Sequence, residues 1–139
     1  MDYIVVHCSA TKPSQNIGRY EIDRWHRQNG WLEIGYHYVI RRDGTLETGR
    51  ELYSIGSHAK GFNDVSVGIC LVGGISETGE SEDNFTQEQL NTLEDLIVTI
   101  AHTVSTETPE ILGHRDLPGV SKDCPCFDVR SWWDSLPIV

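Results

Sequence analysis

The sequence predicts a single α/β domain, a mixed central β-sheet flanked by helices on both faces. Three observations carry that expectation. Short apolar runs, such as Tyr3-Ile4-Val5-Val6 and Val67-Gly68-Ile69-Cys70-Leu71-Val72, have the length and residue types of buried strands. They alternate with stretches of helical apolar spacing, the pattern of a sheet covered by helices. An Asp43-Gly44 pair breaks the alternation with a hairpin turn, so the sheet is mixed. At 139 residues, one domain over residues 1–139 is expected. A chain of this length buries roughly two-thirds of its unfolded surface, enough for a core without covalent staples.

Taken in order, residues 3–7 read as a central strand and residues 10–18 as a loop rich in Thr, Ser, Asn, Pro and Gly. A helix is expected over residues 19–29, ended near Gly30, with Ile22, Trp25 and His26 facing inward and Trp31-Leu32 packing after the turn. Residues 36–40 form a second strand that returns through Thr45-Leu46-Glu47. Leu52-Tyr53 is expected to add a short strand. Residues 56–63, Gly-flanked and polar, form a loop. Ser66 to Val72 is the strongest core strand, and residues 73–84 follow as an acidic surface loop. Thr86 and Gln89 make a capping box for a helix carrying Leu90, Leu93, Ile97, Ile100, Ala101 and Val104 on one face and ending near Ser105. A strand over 110–112 and a short helix over 129–136 close the chain, with Trp132 and Trp133 in packing roles.

Composition removes several classes of function. The formal net charge is -10, which argues against a nucleic-acid partner, because phosphate-backbone binding needs a basic patch. No apolar run approaches the ~20 residues of a membrane span, so no membrane association is expected. Met1-Asp2 leads into a strand with no basic start, so no signal peptide is seen and the chain is expected in the cytoplasm on synthesis. Of the four cysteines, Cys8 and Cys70 read as reduced core thiols, and Cys124-Pro125-Cys126 is too tight for an easy bridge.

The chemistry concentrates in residues 113–125. His114 and Cys124 lie ten residues apart after the strand Ile111-Leu112, with Lys122 two before the cysteine. Imidazole and thiolate are both good zinc ligands, and His7, at the mouth of the first strand, is the candidate third. Three protein ligands leave a position open for water, the mark of a catalytic zinc site rather than a structural one. Cys126 rivals Cys124 as the thiolate. His37 points away from Tyr36 and reads as structural, and His26 and His102 need no special role.

The ordered set His7-Cys8-Ser9-Ala10-Thr11, Gly35-Tyr36-His37-Tyr38, Gly44-Thr45, Gly56-Ser57-His58-Ala59-Lys60-Gly61, Ser66 to Gly74, Asn84-Phe85-Thr86 and Gly113-His114-Arg115-Asp116 resembles the zinc-dependent N-acetylmuramoyl-L-alanine amidases. These share a fold with peptidoglycan recognition proteins. The nearest resemblance is to the small phage amidases called phage lysozymes, and it runs from Tyr3 to Trp133. It implies one zinc per chain on His7, His114 and Cys124, in preference to Cys126. It assigns catalytic roles to Tyr36 and Lys122 and puts His58 in a loop bordering the substrate groove, as a substrate contact. The implied reaction cuts the amide between N-acetylmuramic acid and L-alanine of the stem peptide in peptidoglycan, an endolysin-type activity of phage or prophage origin. A monomer is the simple expectation, reaching the wall only after release.

Two alternatives accompany this reading. The same fold can bind peptidoglycan without cutting it, but relatives that only bind typically lose the cysteine ligand. Some phage relatives also bind and inhibit their phage RNA polymerase, through a contact associated with an N-terminal extension; here the first strand starts two residues after Met1, an expectation against that role. A zinc peptidase is disfavoured because no His-Glu-x-x-His helix is present.

Overall fold

The computed structural model of the chain describes residues 1–104 and 107–137. Its elements are β1 (Tyr3–Cys8), α1 (Arg19–Gln28), β2 (Tyr38–Ile40), β3 (Leu46–Thr48), β4 (Ser66–Leu71), α2 (Gln87–Val104), β5 (Glu110–Gly113) and α3 (Val129–Ser135). They build one five-stranded sheet in the order β3-β2-β4-β1-β5. Only the β2–β3 hairpin is antiparallel; β1 pairs in parallel with β4 and β5, and β2 with β4. The mixed sheet expected from the sequence is therefore present. The expected end of α2 at Ser105 lies outside the described residues.

Strand alternation sorts the core into two faces. On one face Ile4, Val6, Ile69 and Leu71 pack against Leu93, Ile97 and Ile100 of α2 and Val129 of α3, all essentially without solvent contact. Each such aliphatic side chain contributes about 1.5–3 kcal/mol on burial. Trp132 and Trp133 pack against the same cluster, as expected. On the opposite face Val39 and Cys70 meet Ile22 of α1 and Ile34, while Val5 and Leu112 meet Ala59 and Leu117. His7 shares the side of β1 that carries Val5, so it emerges on this second face, between α1 and the loops.

The capping box of α2 forms as read. Thr86 Oγ1 accepts from Gln89 N–H at 3.1 Å, and Gln89 Oε1 accepts from Thr86 N–H at 2.9 Å. Gln89 is fully buried because the other half of its amide is used as well. Its Nε2 donates to the Ile40 and Val72 carbonyls at 3.1 and 2.9 Å. One side chain therefore caps the helix and ties it to the ends of β2 and β4.

Four local expectations change. Trp25 is 38% exposed, because α1 buries only a narrow face centred on Ile22. Leu32 is 88% exposed; Trp31 instead lays its ring on His26, centroids 4.4 Å apart, and turns Leu32 outward. Leu52-Tyr53 forms a turn rather than a strand, since Arg50 holds this segment by donating to the Ile34 and Ile55 carbonyls. The second strand begins at Tyr38 rather than residue 36; the backbone of Tyr36 and His37 pairs instead with Gly49, Arg50 and Gly68.

Candidate active site

One cleft of about 530 Å³ opens on the second face of the sheet, and its walls include all six residues singled out from the sequence: His7, Tyr36, His58, His114, Lys122 and Cys124. They come from four separate parts of the chain. His7 is carried by β1. His114 opens a 3₁₀ turn directly after β5. Cys124 returns to it because Arg115 N–H donates to the Cys124 carbonyl at 2.8 Å. Gly113 permits this return: a β-carbon there would lie 2.7 Å from Pro125 Cδ.

The ligand atoms of His7, His114 and Cys124 all lie within 4.8 Å of one another. His7 Nδ1 is 3.9 Å from Cys124 Sγ, close to the ~3.5 Å edge that tetrahedral zinc bond lengths imply. The Cys8 backbone N–H donates to Cys124 Sγ at 3.2 Å and helps aim it. Both imidazoles are held toward the neutral form that a metal requires. Burial depresses His7 well below the ordinary histidine value, aided by His58, His114 and the Lys122 charge, and burial and Lys122 depress His114. Donor identity, neutral imidazoles and spacing thus fit a divalent metal. Cys126 lies outside this trio. Its thiol is pushed up to about 11, by burial first and by Cys8 next, so it stays protonated. Cys8 and Cys70 are buried free thiols, as expected, and both are pushed upward: Cys8 chiefly by its hydrogen bond to Cys124 and by burial, Cys70 chiefly by burial.

Tyr36 stands with its ring centroid 5.1 Å from that of His7. Burial raises its hydroxyl well above the ordinary phenol value, so it is a donor rather than a base. Lys122 is exposed at the rim. His58 has both ring nitrogens engaged: Nδ1 is 2.9 Å from His7 Nε2, and Nε2 is 3.2 Å from Ser66 Oγ. Substrate can therefore meet only its ring carbons. Burial, with His37 and His114 nearby, holds it down to about 3. His37 is structural: Gly68 N–H donates to its Nδ1 at 3.0 Å, so its Nε2–H donates to the Ser54 carbonyl at 2.7 Å.

The sequence did not mark His26 and Trp31, which also line the cleft, as does Lys60 from the loop expected to border the groove. His26 Nδ1 accepts from Gly35 N–H at 2.9 Å, and its ring lies between Trp31 and Tyr36. The available signal was its position four residues after Ile22, on the inward side of α1.

The family model described as N-acetylmuramoyl-L-alanine amidase matches residues 1–127. The endolysin of Escherichia phage T7 is 48% identical over 138 residues, covering 99% of this chain and 89% of that protein. Among solved structures, the N-acetylmuramoyl-L-alanine amidase LysC from Clostridium intestinale superposes with a TM-score of 0.79 at 28% identity, over 96% of this chain and 85% of that one. A point mutant of Drosophila PGRP-LB, solved in complex with tracheal cytotoxin, gives 0.79 at 26% identity, over 98% and 81%.

Proposed function

The chain belongs to the N-acetylmuramoyl-L-alanine amidase family, and from that premise we propose that it is a zinc-dependent endolysin-type hydrolase that cuts the amide between N-acetylmuramic acid and L-alanine in peptidoglycan. The observation that carries this reading is the meeting of two imidazoles and one thiol, their ligand atoms within 4.8 Å of one another, with a phenol and a lysine side chain in the same cleft. His7, His114 and Cys124 would hold the ion. A zinc ion held there would supply a bound water with its pKa lowered to about 7 and a Lewis acid for the target carbonyl.

The chain's own side chains do the rest. Lys122 sets a positive charge at the rim, where negative charge develops on the carbonyl oxygen. Tyr36, kept protonated, donates a hydrogen bond to the same oxygen. His26 and Trp31 extend an aromatic wall from Tyr36 along which a sugar or peptide can lie. No helix among the described residues is long and apolar enough to cross a membrane.

The test is digestion of purified peptidoglycan with zinc-loaded protein, assaying free amino termini and reducing sugar ends separately. New L-alanine amino termini are expected. New reducing ends alone would make it a glycosidase. Binding with neither product would make it a recognition module.

A further inference from the structure

His7 can serve a metal through Nδ1 only if that nitrogen carries no proton, and the structure contains a device that decides this. Ser66 Oγ lies 2.7 Å from the Phe62 carbonyl and 3.2 Å from His58 Nε2. A hydroxyl has one proton, and the carbonyl can only accept, so the shorter bond takes it. Ser66 must then accept from His58 Nε2–H. His58 Nδ1 is left bare and accepts from His7 Nε2–H across 2.9 Å. His7 Nδ1, facing Cys124 Sγ at 3.9 Å, is left with its lone pair free.

We propose that His58 is a positioning residue: through the chain His7–His58–Ser66–Phe62 it locks His7 in the Nε2–H tautomer and presents the bare Nδ1 to the metal. The backbone is shaped for this ring. A β-carbon at Gly68, in the middle of β4, would lie 2.5 Å from His58 Cγ, and one at Gly56 would lie 2.7 Å from His58 Cδ2. Only glycine lets the imidazole lie this close to the strand. Asn63 Oδ1 accepts from the backbone N–H of both His58 and Ala59, at 2.9 and 2.8 Å, and fixes the loop that carries the ring. Reversing the chain would require Ser66 to abandon its shorter bond and would put a proton on His7 Nδ1, where the metal must bind. Partners of this kind, beyond the ligands themselves, typically tune metal affinity 10–100-fold.

The inference rests on the zinc reading, and its test needs no substrate. In the chelated protein with 15N-labelled histidine rings, His7 and His58 are each expected to show a protonated Nε2 and a bare Nδ1. A protonated Nδ1 on His7 overturns the proposal without any variant. Zinc affinity, measured by competition with a chromophoric chelator, is expected to weaken about 10–100-fold in His58→Leu. His58→Asn, whose Oδ1 can accept from His7, is expected to recover most of the loss. Unchanged zinc affinity in His58→Leu, with only KM raised on peptidoglycan, would assign His58 to substrate and overturn the proposal. Failure of the amidase reading would appear instead in the digestion products, with tautomers and zinc affinity unaltered.

Discussion

Tyr36 and Lys122 reach the cleft from different segments, and their chemistry differs in a way that variants can separate. The phenol is held protonated by burial, whereas the ammonium stands exposed at the rim. Removing one donor to a developing oxyanion typically costs 10²–10³ in kcat. Tyr36→Phe is therefore expected to lower kcat on peptidoglycan about 10²-fold while leaving zinc affinity within about threefold, read by steady-state assay and chelator competition. Equal activity in the variant would remove Tyr36 from the chemistry. At this scale much was legible. His7, His114 and Cys124 stand out by residue type and motif, and a strand mouth is a sensible place for a ligand. The His58–Ser66 relay was not legible, because it joins residues 51 and 8 positions apart through the register of β1 against β4. His26 was read as structural because helical spacing says which side a residue faces, not what cleft lies there.

At the scale of elements, one amide joins the Thr86 and Thr92 hydroxyls in anchoring the start of α2. Gln89 caps the helix through Oε1 and crosses to the carbonyls ending β2 and β4 through Nε2. Each carbonyl keeps another partner, from Val72 N–H or Arg42, so its loss leaves them weakened rather than orphaned. Gln89→Leu is expected to destabilise the fold by about 1–3 kcal/mol, measured by urea unfolding. No change would mean that the cap is decorative. The capping box itself was readable from Thr86 and Gln89, three residues apart. The second use of the amide was not, because it depends on where the sheet meets the helix. Strands β1 and β4 were readable from their apolar runs. The segment around Leu52 misled, because two apolar residues resemble a strand until Arg50 is seen to bind the backbone on either side.

The molecule as a whole keeps several histidines neutral on the cleft side of its sheet. Burial depresses His37, and depresses His58 to about 3, against an ordinary value of 6.5. With the folded pKa below the unfolded one, the unfolded chain takes up protons first as pH falls. Stability from these groups is therefore complete above about pH 6.5 and declines below it, by about 1.4 kcal/mol per pH unit for each extra proton bound by the unfolded chain. The urea midpoint of the chelated protein is expected to be lower at pH 5 than at pH 7. An equal or higher midpoint at pH 5 would contradict burial of neutral rings. The overall architecture was legible because alternating apolar runs and helical faces leave few ways to cover a sheet. The cleft was not, since it arises where four distant segments converge on one sheet face. The most direct measurement on the zinc-dependent amidase reading is reconstitution: strip the metal, add zinc in steps, and follow both bound zinc and the release of L-alanine amino termini from peptidoglycan. Activity is expected to vanish on stripping and to return in proportion to zinc, saturating at one ion per chain, with Cys124→Ser weakening this binding and Cys126→Ser leaving it intact. Full amidase activity in the stripped protein would contradict the zinc-dependent mechanism.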